Sequence, residues 1–234
     1  MHPLSDIDVL LVRNQYRTAL SADGNGIGPN QALEQVRAAV KAAYPKATTK
    51  LQSHSVNVEL PDVDFGFDLV PAWLRSPDGY WIPDSDSGGW LATDPIAHNT
   101  LLTAANKDVE GVLKPTIKMV KHWNQQNLNL FRSFHLELVC KAILYKDLAS
   151  KFYDLNVRLV LRSLETFVGV RMMDPVYGQS RVDKTLTPQE HSDLIFRIRG
   201  DSQRAEQAWT LESGGDHEGA IKLWQEVFIS GFPS

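Results

Sequence analysis

Near Thr93 the hydrophobic pattern of this chain changes period, and that change limits the possible folds more than any other feature. Before it, apolar residues come in short β-branched runs divided by Gly, Pro and Asp; after it they recur at helical spacing. Strands gathered at one end and helices at the other predict an α+β chain, with a sheet lobe over residues 1–93 and a helical-bundle lobe over residues 94–234. At 234 residues and 43% hydrophobic, the chain has enough apolar surface to give each lobe a core.

In the first lobe, Ile7 to Val12 reads as a buried strand, entered from a polar edge at Asp6 and Asp8. Gly24, Gly26, Gly28 and Pro29 mark a loop, and Gln31 to Ala43 an amphipathic helix ended by Pro45. Alternation predicts strands at Val56 to Leu60 and Val63 to Val70, with Pro61 and Asp62 at the turn. The Gly, Pro, Asp and Ser of Ser76 to Asp94 predict a long loop, interrupted by a short strand at Tyr80 to Ile82. In the second lobe, helices are predicted near Ile96 to Asp108, Val112 to Gln126, Ser133 to Lys146, Phe152 to Val168, Pro188 to Glu212 and Glu218 to Phe228.

Two aspartates two residues apart on a strand project to the same face, so Asp6 and Asp8 can share a cation while Ile7 points to the core. Asp68 sits in a second apolar run, and if the two strands pair, three carboxylates converge. Such a triad suits two divalent cations serving phosphoryl or nucleotidyl transfer. All-oxygen ligands favour Mg2+ or Mn2+ over zinc. On spacing alone, a turn-capping Asp6 and a solvated Asp8 explain the same residues. Asp64, four residues before Asp68, competes for the third position.

Downstream, Lys114, Lys118 and Lys121 form one stripe of a predicted helix, beside an apolar stripe of Leu113, Ile117 and Val120. The stripe is either a solvated face or a phosphate-binding flank. Ser133 is placed to cap the helix that follows, and a hydroxyl at a helix N-terminus beside lysines can also hold a triphosphate. Phe134 is either core or a ring that stacks on a base.

The ordered set Ser5-Asp6-Ile7-Asp8, Phe67-Asp68-Leu69-Val70-Pro71-Ala72, Lys118-Met119-Val120-Lys121-His122-Trp123-Asn124 and Ser133-Phe134-His135-Leu136-Glu137 resembles the cGAS/DncV-like nucleotidyltransferases, or CD-NTases. Asp174-Pro175-Val176-Tyr177-Gly178 and the terminal Trp224, Phe228, Phe232 and Pro233 extend the resemblance over nearly the whole chain. It implies a polymerase-β-like nucleotidyltransferase lobe and a helical lobe, bilobal about a central cleft. It also implies an enzyme that makes a cyclic di- or oligonucleotide messenger from ATP or other NTPs in bacterial anti-phage defence. Asp6, Asp8 and Asp68 would be its catalytic and metal residues, with two Mg2+ or Mn2+ ions per site. Lys118, Lys121, Ser133 and Phe134 would bind nucleotide. Independently of the resemblance, the place of Tyr80 and Trp81 beside the long loop puts them at the border of such a pocket.

Family members carry a Gly-Ser turn after a long helix upstream of the first aspartate. Here only five residues precede Asp6, so the expectation is either a misassigned or truncated start or a lost part of the grip on the donor phosphates, the latter with weak or no activity. Two other readings are a nucleotidyltransferase for another acceptor (an RNA end, a small molecule or a protein) and a truncated homologue that binds nucleotide without turnover. A net charge of -4 argues against nucleic acid as a stable partner. A regulatory protein partner is left open.

Cys140 is the only cysteine, which rules out an intrachain disulfide and predicts a small core residue in a reducing cytoplasm. No signal peptide and no apolar run near the ~20 residues of a membrane span is present, so the expectation is a soluble cytoplasmic protein without a membrane partner. The seven histidines show no metal-ligand spacing and are expected at surface or satisfied core positions. Trp90, Trp123, Trp209 and Trp224 are expected to pack.

Overall fold

The structure, a computed structural model, describes residues 7–16, 26–178 and 180–229; Asp6 lies outside them. The chain divides into two compact units, Met1–Ala97 and His98–Ser234. Among the described residues no helix is long and apolar enough to cross a membrane.

The first unit contains β1 (Ile7–Tyr16), α1 (Pro29–Ala43), β2 (Thr48–Leu51), β3 (Val56–Glu59), β4 (Gly66–Leu74), β5 (Tyr80–Asp84) and β6 (Gly89–Thr93). The sheet runs in the order β2-β3-β4-β5-β6, all antiparallel neighbours, and β1 joins β4 in parallel. Strand alternation divides the side chains cleanly. Val56, Val58, Phe67 and Leu69 pack with Leu33, Val36 and Val40 of α1, while Val70, Ala72, Ile82, Leu10 and Leu91 form a second cluster.

Three details depart from the sequence reading. The segment expected as a buried strand, β1, leaves Ile7, Leu11 and Val12 at 41%, 38% and 45% exposure. Among the described residues it pairs only with β4, so the sheet covers it from one side. The expected long loop is the β5–β6 hairpin. Its turn is organised by the Asp84 carboxylate, which accepts the Ser87 hydroxyl at 2.7 Å and the Asp86 N–H at 3.2 Å, so the polar residues belong to a tight turn. β2, unpredicted, pairs with β3 from Thr48 to Leu51.

The second unit holds α2 (Pro95–Asp108), α3 (Leu113–Gln126), α4 (Ser133–Ile143), α5 (Tyr153–Leu164) with a 3-10 turn at Glu165–Phe167, α6 (Pro188–Ser213) and α7 (His217–Phe228). The first three residues of α2 belong to the sheet unit. The predicted periodicity is realised: Leu113, Ile117 and Val120 of α3, Leu136 and Val139 of α4, Val157, Val160 and Leu161 of α5, and Leu194 and Ile198 of α6 share one core. α6 begins with a capping box, in which Thr187 accepts the Glu190 N–H and Glu190 accepts the Thr187 N–H at 2.8 Å. Cys140 is fully buried, and burial pushes its thiol up to about 12, an inert core group.

Deep in this core, Asp201 of α6 is wholly buried and accepts the Trp123 indole N–H at 2.8 Å, the Arg197 guanidinium at 2.6 Å and that of Arg204 at 3.2 Å. His135 of α4 is less well served. It is 3% exposed, and no described residue bonds its Nε2, contrary to the satisfied position expected for it. Burial lowers its pKa below the ordinary 6.5, with Asp183 opposing. The unfolded chain therefore takes up this proton first. The His135 contribution to stability is complete above pH 6.5 and is lost as pH falls below it, at up to about 1.4 kcal/mol per pH unit. Urea melts from pH 7.5 to 5 are expected to show this loss, and H135L to flatten it.

Candidate active site

Register decides what the sheet brings together. In the parallel pairing of β1 with β4, Asp8 lies directly opposite Asp68; in the antiparallel pairing of β3 with β4, Asn57 is opposite Asp68 from the other side. Lys50 of β2 is the next partner, opposite Asn57. Directly paired residues share a face, so Lys50, Asn57, Asp68 and Asp8 form one row, away from the face that α1 covers. Asp8 is exposed and Asp68 half-buried. Asp64, the competing candidate, falls in the turn before β4 and is exposed.

Two carboxylates on strands about 4.8 Å apart repel one another, and a hard cation between them offsets that repulsion. This charge arrangement and its oxygen donors suit a divalent cation, with Asp6, outside the described residues, as the third candidate. Among the described residues alone, no group of three or more His, Cys, Asp or Glu is placed to hold a metal ion. Asn57 Nδ2 donates to Asp68 Oδ1 at 3.0 Å. Nothing in the sequence marks Asn57, because its relation to Asp68 exists only in the register. Tyr80 and Trp81 lie on β5, where the Arg75 guanidinium sits 5.5 Å from the Trp81 ring centre.

In the second unit the lysine stripe occupies the outer flank of α3. Lys118 is exposed, Lys114 donates to Thr103 Oγ1 at 2.8 Å, and Lys121 is ion-paired with Glu137 of α4. The Lys121 charge is thus already partnered, by a residue of the same Ser133 to Glu137 segment. Ser133 is exposed and is the first residue of α4, not its cap: Arg132 takes the cap position, with no side-chain bond there. The preceding turn sets this boundary. Buried Asn124 holds it by donating to the Phe131 carbonyl at 2.9 Å and accepting the Phe131 N–H at 3.2 Å. One residue earlier, Trp123 is anchored by Asp201. The Trp-Asn pair in the α3 motif thus serves structure, fixing the helix that carries the lysines and the turn that presents Ser133.

Phe134 is half-buried, with its ring centre 4.5 Å from that of His98 of α2. His98 Nε2 lies 3.0 and 3.1 Å from the two carboxylate oxygens of Asp174, which also accepts the Val176 N–H at 2.7 Å. His98 is thus a satisfied histidine, as expected of the set. The Asp-Pro-Val-Tyr-Gly segment gains a role that its sequence did not disclose, holding the imidazole against which Phe134 rests.

Residues 1–106 match the family described as the Second Messenger Oligonucleotide or Dinucleotide Synthetase domain. The chain is 24% identical to a Bacillus cereus (strain VD146) protein named "Probable cyclic nucleotide synthase", over all of this chain and 78% of that protein. It is 29% identical to the cyclic AMP-AMP-AMP synthase of an Acinetobacter strain, over 97% of this chain and 65% of that protein. Its fold matches that of Escherichia coli MS115-1 CdnC with ATP at a TM-score of 0.74 and 18% identity, covering 99% of this chain and 79% of the other.

Proposed function

We propose that the chain is a cGAS/DncV-like nucleotidyltransferase, as its similarity to the synthetase family over residues 1–106 and to cyclic nucleotide synthases supports, and that it joins nucleoside triphosphates into a cyclic di- or oligonucleotide signal in bacterial anti-phage defence. The observation that carries the reading is the direct pairing of Asp8 with Asp68 on one face of the sheet. In each transfer a ribose hydroxyl oxygen bonds to the α-phosphorus of a donor triphosphate, the bond to pyrophosphate breaks, and the hydroxyl proton goes to a carboxylate. Asp68 takes that proton and, with Asp6 and Asp8, would hold the metal, which we assign as two Mg2+ or Mn2+ ions per site. When bound, these ions polarise the α-phosphate and neutralise the departing pyrophosphate.

The helical unit supplies the grip on the donor. Lys121 exchanges Glu137 for a phosphate oxygen, and exposed Lys118 adds charge one turn away. The Ser133 hydroxyl and the first N–H groups of α4 donate to the triphosphate. Phe134, backed by His98, stacks on the base.

The test is incubation of the protein with labelled NTPs and Mg2+, followed by phosphatase. Resistant cyclic products are expected; pyrophosphate release only in the presence of an added acceptor would overturn the reading. F134A is expected to raise KM for the donor about tenfold with kcat little changed, because stacking contributes ~1–3 kcal/mol per base. F134Y is expected to retain the original KM.

A further inference from the structure

We infer that Asn57 is a positioning residue for Asp68, fixing the carboxylate in the orientation from which it receives metal and proton. The inference rests on the proposed role of Asp68 and goes beyond it. A free aspartate on a strand rotates about two torsions, and each must be frozen before the carboxylate can act in one geometry. Asn57 restricts them with one bond. Its amide donates to Asp68 Oδ1 at 3.0 Å, and its backbone is held opposite Asp68 by the β3–β4 ladder. No described residue bonds the second oxygen, Oδ2, which is left for other work.

The donor type matters as much as the position. A carboxamide gives a hydrogen bond without adding charge, so it orients Asp68 without competing with a cation for it. The neighbour beyond it is Lys50, opposite Asn57 in the same row. A lysine directly opposite Asp68 would neutralise the carboxylate; Asn57 puts a whole strand between the two, a separation of two strand spacings or about 9.6 Å. Partners that orient a metal-binding carboxylate typically control metal affinity about 10- to 100-fold.

The test uses the full chain and Mn2+ alone, followed by electron paramagnetic resonance, with turnover measured separately. N57L keeps the approximate volume and removes the donor; N57S stays polar but its hydroxyl stops short of Asp68. Either variant is expected to weaken Mn2+ binding at least about tenfold and to lower kcat with KM for ATP unchanged, while its melting temperature stays within a few degrees. N57Q, which restores an amide, is expected to recover part of both losses. Unchanged Mn2+ affinity in N57L and N57S, whatever their melting temperatures, would overturn the inference and leave Asn57 a packing residue. D68A distinguishes the two levels. If D68A binds Mn2+ as tightly as the unaltered chain, the acidic site itself is wrong; if D68A loses binding and N57L does not, only the role of Asn57 fails.

Discussion

Replacing Asp68 with alanine is expected to lower product formation on the order of 10³-fold, about 4 kcal/mol of lost transition-state stabilisation. The reason is geometric. Asp68 stands between Asp8 and Asn57 in the row across the sheet, and its carboxylate accepts from Asn57 alone among the described residues, so its removal disturbs no core packing. The melting temperature should therefore hold while turnover disappears. D64A is the matched control: Asp64 lies in the turn before β4 and is exposed, and its loss should leave rates within about twofold. Labelled ATP with Mg2+, resolved by thin-layer chromatography, measures both. Full activity in D68A, or its loss in D64A, would remove the paired carboxylates from the mechanism.

The largest expected effect on stability comes from the other half of the molecule. Asp201 is wholly buried and serves three donors, and D201A leaves the Trp123 indole and the Arg197 guanidinium without their acceptor inside the core. Breaking a buried pair from one side costs ~3–5 kcal/mol. Arg197 and Arg204 keep 29% and 37% side-chain exposure, so water offsets part of the loss and the lower end, ~3 kcal/mol, is expected. D201N, which retains an acceptor for the indole, should lose less. Urea denaturation of the two variants orders them; a D201A protein as stable as the original would show the network to be dispensable. The network also reaches the turn before Ser133, since Trp123 precedes the Asn124 that fixes it.

The helices were legible because their signal is local: the apolar spacing that predicts Val112 to Gln126 is the spacing that buries Leu113, Ile117 and Val120. Of the β5–β6 hairpin only the strand from Tyr80 was legible, because Asp84, Ser87 and Gly88 have the composition of a loop whether or not strands flank them. Ser133 was displaced by one position because side-chain bonds from Asn124, several residues back, set where α4 begins. Of the site, the residue types were visible and their relations were not. The resemblance favoured Asp68, but the residues alone left Asp64 open because where β4 starts is not written in them, and Asn57 and Asp174 become meaningful only through partners 11 and 76 residues away.

The parallel ladder between β1 and β4 has a consequence for the order in which the molecule is made. β2, β3, β4, β5 and β6 join through short antiparallel connections, whereas Asp8 meets Asp68 across 60 residues of chain. Contacts of such long sequence separation carry the largest loop-closure entropy and form late. During synthesis the strand bearing Asp8 emerges before β4, and among the described strands it has no other partner. A nascent chain thus carries Asp8 well before Asp68, and brings the two carboxylates side by side only when that ladder closes.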